Sequence, residues 1–123
     1  MGSSKLRNCI ILIAEDDYTL ASDLRDAFVK VSASVIHLSY TIEDTLDVIM
    51  SSSPIDGAVL SVNLQGEATF VAAEHLLRRQ IPFLFLESLN SSDIPPSFRT
   101  VDRFRKSIDV GHLTKALGAM ISA

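Results

Sequence analysis

The chain has 123 residues, a formal net charge of −4 and a single cysteine, with 47% hydrophobic and 21% charged residues. That length suits one domain whose core needs no disulfide or metal staple, and the balance excludes an intrinsically disordered chain. Mild acidity argues against a protein built to neutralise nucleic-acid phosphates, and a lone Cys9 can neither bridge internally nor build a metal cluster. No apolar run approaches the ~20 residues of a membrane span, and no secretory signal follows Met1-Gly2-Ser3-Ser4-Lys5. The expectation is a cytoplasmic protein with neither nucleic acid nor membrane as partner. Residues 1–8 read as an N-terminal tail and 9–123 as the domain.

Along the chain, short apolar runs alternate with amphipathic stretches. The run Cys9-Ile10-Ile11-Leu12-Ile13-Ala14 is continuous and β-branched, the pattern of a strand buried on both faces. Leu20, Leu24, Ala27, Phe28 and Val31 follow at helical spacing, with Asp17 placed to cap the helix start. Ser34 to Leu38 reads as a second strand. Ile42, Leu46, Ile49 and Met50 form a second helical stripe, entered through Thr41 with Asp44 three residues on, a variant of the capping box, and Pro54 ends it. Gly57 to Leu60 is a third strand, and Phe70, Ala73, Leu76 and Leu77 mark a third helix. Pro82 to Leu86 is a fourth strand with its proline at the permitted first position. Met50 and Met120 are expected in the core.

Then the pattern falters. Between Leu86 and Val101 lies a polar stretch with Pro95-Pro96, so a fourth helix is expected to be short or missing. A short fifth strand around Val101 to Phe104 leads to a last helix carrying Val110, Leu113, Leu117, Met120 and Ile121 behind Asp109. Repeated strand–helix alternation implies a parallel sheet with helices on both faces. The fold class is therefore α/β, a doubly wound, flavodoxin-like five-stranded sheet of order 2-1-3-4-5.

Such sheets place ligands beyond the carboxyl ends of their strands. The residues there are Glu15-Asp16-Asp17, Ser61-Val62-Asn63, Glu87 and Lys106. Alone, Asp17 is a helix cap and Lys106 a snorkelling surface lysine. Together, adjacent acids above a sheet repel one another and need either a bound cation or a nearby ammonium.

The string Ile11-Leu12-Ile13-Ala14-Glu15-Asp16-Asp17 resembles the opening of a response-regulator receiver domain. So do "IDGAVLSVNL" from Ile55 to Leu64, "IPFLFLES" from Ile81 to Ser88 and "FRKSID" from Phe104 to Asp109, and the likeness runs from about Cys9 to Met120. The resemblance implies a (βα)5 module of two-component or phosphorelay signalling, not an enzyme, with partners such as a histidine kinase or another regulator. In that family an acidic pair holds Mg²⁺, and an Asp ending strand three accepts a phosphoryl group. A Thr or Ser ending strand four and a Lys after strand five contact the phosphoryl oxygens. The reduced fourth helix is similar to a subgroup of stand-alone receivers.

Residue by residue, Glu15 and Asp16 match the acidic pair and Lys106 the lysine. Ser61 stands at the phosphoacceptor position, Glu87 at the Thr/Ser position, Ser107 where a proline follows the lysine, and Arg103 at the aromatic switch position. A carboxylate needs only orientation to attack phosphorus, whereas a serine hydroxyl is a weak nucleophile without an adjacent base. Ser61 is therefore expected to fill space and hydrogen-bond to a carboxylate. Glu15, Asp16 and Glu87 with Lys106 restore three carboxylates and one lysine, and Glu87 is expected to reach Lys106, or a cation on the acidic pair, across the vacated space. Mg²⁺ would keep Glu15, Asp16 and the carbonyl of Asn63 as a weakened ligand set.

The leading expectation is an atypical stand-alone receiver that acts by protein–protein contact without phosphorylation at Ser61, with no room after Met120 for an output domain. One alternative is an active phosphoacceptor using Asp16, Asp17 or Glu87 with Mg²⁺. Another is a flavin-type small-molecule module, disfavoured by an acidic first loop that lacks glycine and hydroxyl groups. Arg99, Arg103, Arg105 and Lys106 make the late chain basic, most simply a solvated edge. The family's usual dimer is not assumed, because the face that forms it loses a helix.

Overall fold

In the computed structural model, which describes residues 5–122, the apolar runs pair into one parallel sheet. Its strands are β1 (Ile10–Ala14), β2 (Val35–Ser39), β3 (Gly57–Ser61), β6 (Phe83–Glu87) and β7 (Arg103–Arg105), in the order β2-β1-β3-β6-β7. With β4 (Asn63–Leu64) and β5 (Glu67–Ala68) set aside as a separate antiparallel hairpin, this is the expected order 2-1-3-4-5. β1 lies inside the sheet, paired with β2 on one side and β3 on the other, which is why its sequence has no polar alternation.

The pleat sorts side chains into two layers. Leu12, Ala14, Ala58, Leu60, Phe83 and Phe85 face α2 (Ile42–Met50), α3 (Phe70–Arg78) and a single 3-10 turn at Pro96–Phe98. Ile11, Ile13, Val59, Leu84 and Leu86 face α1 (Tyr18–Lys30) and α4 (Val110–Ile121), which supply Leu24, Phe28, Leu113 and Leu117. The 3-10 turn is all that stands where a fourth helix would be. Pro95-Pro96 and the polar run before it leave no amphipathic stripe to bury.

Caps form where the sequence placed them. Asp17 accepts from the Thr19 and Leu20 N–H groups at 2.9 and 3.1 Å, and Asp109 from those of Gly111 and His112. Thr41 accepts from the Asp44 N–H at 3.1 Å, but the Asp44 carboxylate returns no bond, so only half of a capping box is made. None of the described helices is long and apolar enough to cross a membrane.

Several expectations need correction. Met50 is 61% exposed and Leu77 45% exposed. Each directly follows a buried residue, Ile49 or Leu76, and one residue turns a helix by about 100°, which carries the second side chain off the apolar stripe. The reading of residues 1–8 as a tail falls partly on residues 1–4, outside those described. Within the described part, Leu6 is buried beside Gly118 in the α1–α4 layer, and the Asn8 N–H donates to Ser32 O. A single leucine among polar residues has no period to announce its burial. The β4–β5 hairpin was not expected either: its two-residue strands are too short to alternate, and its turn rests on Gln65 and Gly66 at φ 50° and 83°.

Candidate functional site

Alternation along the strands brings the chemistry together. Ile13 and Val59 face the α1–α4 layer, so Glu15 and Ser61, two residues further on, project from the same face at the carboxyl end of the sheet. Phe104 faces that layer too, and Lys106 follows it by two. Glu15 and Ser61 are fully buried, while the Lys106 side chain keeps 28% exposure. Ser61 Oγ donates to Glu15 Oε1 at 2.5 Å, and the Asp17 N–H donates to Oε2 at 2.8 Å. Lys106 Nζ lies 3.0 Å from Oε1 and 3.1 Å from Oε2, straddling the carboxylate. A carboxylate offers about four lone-pair positions, so Glu15 is saturated.

Ser61 is pinned from behind. The buried Thr69 hydroxyl donates to Ser61 O at 2.6 Å, and the Thr69 N–H to Val62 O at 2.9 Å. Thr69 stands at the N-cap of α3 yet makes no side-chain cap bond, because its hydroxyl serves the end of β3 instead. Its only sequence signal was a threonine just before a helix. Ser92 was missed as well. The Asn63 amide donates to Ser92 Oγ at 3.0 Å and accepts from the Ser92 N–H at 2.9 Å, tying the hairpin to the segment that replaces the fourth helix.

Asp16 stands at the rim of this cluster, beside Glu15, and reaches from it to the hairpin. Its Oδ2 accepts from the Gln65 N–H at 2.6 Å, joining the β1–α1 loop to the hairpin turn. Partial burial works to raise its pKa, but the Gln65 N–H, the Glu15 carboxyl and the Lys106 charge together outweigh it, so the pKa lies below the usual aspartate range. A carboxyl lowered in the folded state adds stability that is present above the unfolded value of about 3.9 and is lost as pH falls through the folded one. Urea midpoints measured downward from about pH 4.5 should therefore fall more steeply for the native chain than for Asp16→Asn; parallel curves would deny the Asp16 contact this role.

Glu87 does not make the contact expected of it. It follows Phe83 and Phe85 by even steps, so the pleat directs it toward the α2–α3 face, opposite the one Lys106 shares with Glu15. Its carboxylate forms no hydrogen bond or ion pair with any described residue, and only its backbone carbonyl accepts from the Lys106 N–H, at 3.0 Å. It lines a shallow cavity of about 230 Å³ with Ser88, Asp93, Arg103 and Arg105. Lys106 has its carboxylate partner in Glu15. Arg99, Arg103 and Arg105 are exposed without carboxylate partners among the described residues, as a solvated edge would be.

Mg²⁺ requires near-octahedral oxygen donors. Both Glu15 oxygens are committed, one Asp16 oxygen is committed, and no group of three His, Cys, Asp or Glu among the described residues could hold a metal. The residues present do not fit a divalent ion.

No family model and no curated protein matches the sequence. Solved structures do. The solution structure of SdrG from Sphingomonas melonis Fr1 is 30% identical, covers 98% of this chain and 99% of that one, and superposes with a TM-score of 0.80. The BeF3-activated conformation of SdrG from Pseudomonas melonis Fr1, also 30% identical, covers 94% and 98% with a TM-score of 0.72. A response regulator receiver protein from Sinorhizobium medicae has the same fold, with a TM-score of 0.80 over 96% and 98% of the two chains at 15% identity. A flavodoxin-like sheet carrying an acidic pair and a lysine at its carboxyl edge defines a receiver domain. The chain belongs to the response-regulator receiver family, modules of two-component signalling rather than enzymes.

Proposed function

We propose that this chain is an atypical receiver that signals by protein–protein contact, with Ser61 standing at the phosphoacceptor position and taking no phosphoryl group. The supporting observation is that Ser61 is fully buried and donates its hydrogen to Glu15, whose charge Lys106 already neutralises. A serine against a carboxylate is the arrangement of a nucleophile and its base. Here the hydroxyl has no surface on which a phosphodonor could approach, and the lysine that would meet phosphoryl oxygens is spent on Glu15. Partners are signalling proteins of two-component pathways, such as a histidine kinase or another regulator, and the setting is the cytoplasm.

Intact mass after incubation with a small phosphodonor and Mg²⁺, run beside Ser61→Asp, tests this reading. The native chain should carry no phosphoryl adduct, and Ser61→Asp should gain one. An adduct on the native chain would overturn the proposal and point to Asp16, Asp17 or Glu87 as acceptor.

A further inference from the structure

We infer that Lys106 is the resident cation of the acidic pair, and that its ammonium group replaces a divalent metal ion in this chain. The inference rests on the proposed reading only in taking Ser61 as unmodified; the donor geometry carries the rest. Adjacent carboxylates at a sheet edge need positive charge from a bound ion or from a side chain. In this fold the side chain supplies it. Lys106 Nζ bridges both Glu15 oxygens at 3.0 and 3.1 Å, and the Ser61 hydroxyl and the Asp17 N–H fill the remaining positions. Asp16 points its Oδ2 at the Gln65 N–H, so the hairpin turn holds the second carboxylate of the pair. A metal entering here would have to displace an ammonium and a hydroxyl from a fully buried carboxylate. It would also sit beside a lysine that had lost its partner.

The residue at 61 controls this arrangement. Serine is short and donates a hydrogen, so it leaves Glu15 as the carboxylate nearest Lys106. An aspartate at the same point would compete for the ammonium and release Glu15. Absence of a carboxylate at 61 and absence of a metal site are thus one structural change.

The experiment is a Mn²⁺ titration of the full chain without phosphodonor, read by electron paramagnetic resonance of the free ion, for the native protein, Lys106→Met and Ser61→Asp. The native chain should show no saturable site up to millimolar Mn²⁺. Each variant should gain one site, tighter by on the order of tenfold or more, the scale on which a ligand's neighbours alter metal affinity. An amide NMR fingerprint confirms folding of each variant, and Ser61→Asp keeps the test alive if Lys106→Met does not fold. A native site abolished by Asp16→Asn would overturn the inference, as would folded variants that gain no site. Because no phosphodonor is present, either result leaves the phosphorylation reading to its own mass measurement.

Discussion

Glu15→Ala is expected to destabilise the fold by about 3 kcal/mol, the lower end of the roughly 3–5 kcal/mol seen when one partner of a buried ion pair is removed. The lower end applies because the Lys106 side chain retains 28% exposure and can recover part of its hydration. The loss has a second source. Ser61 Oγ is wholly buried and would lose its acceptor, and a buried donor left unsatisfied costs about 1–3 kcal/mol. Glu15→Gln, which keeps the shape and an acceptor for Ser61, should cost clearly less. Removing both charges, in Glu15→Gln with Lys106→Met, should cost less than the sum of the single changes, since neither charge is then stranded. Urea unfolding with an unchanged slope measures each term. A loss below about 1 kcal/mol for Glu15→Ala would place the pair among ordinary surface bridges and remove the basis for a locked site.

Phe98→Ala carries the other large effect, about 3–5 kcal/mol by the usual cost of truncating a buried phenylalanine. Phe98 is 2% exposed on the 3-10 turn. Its ring stacks on Phe70, with centroids 5.9 Å apart, and meets Phe85 edge-on at 5.8 Å. It is the one buried side chain among residues 88–102, with only Ile94 and Val101 partly packed nearby. Truncation should therefore loosen this segment before the sheet melts. Hydrogen exchange should lose protection first at the Phe98 and Val101 amides, which donate to Pro95 O and Phe98 O. Uniform loss across β1 and β3 would instead show that the turn melts only with the whole domain.

The architecture was legible because long runs such as Ile10–Ala14 and the Leu24–Phe28 stripe carry burial in their spacing, and because Asp17 and Asp109 announce helix starts. The site was legible as a set of strand ends. Its internal pairing was not, since the tally of charges that paired Glu87 with Lys106 ignored the face on which each stands. Face follows from the register that sets Glu87 opposite Arg105, and register is a property of the assembled sheet. Thr69 and Ser92 were hidden for a related reason. A hydroxyl acquires meaning only from the backbone beside it, and their partners lie 8 and 29 residues away.

Glu15 and Lys106 are separated by 91 residues, so the two come from opposite ends of the topology. The charge buried at the end of β1 is balanced only when the segment after β7 is in place, and closing so long a loop costs entropy before the contact rewards it. The ion pair thus fastens the first strand to the last, so that fraying of β7 strands a buried charge at the end of β1.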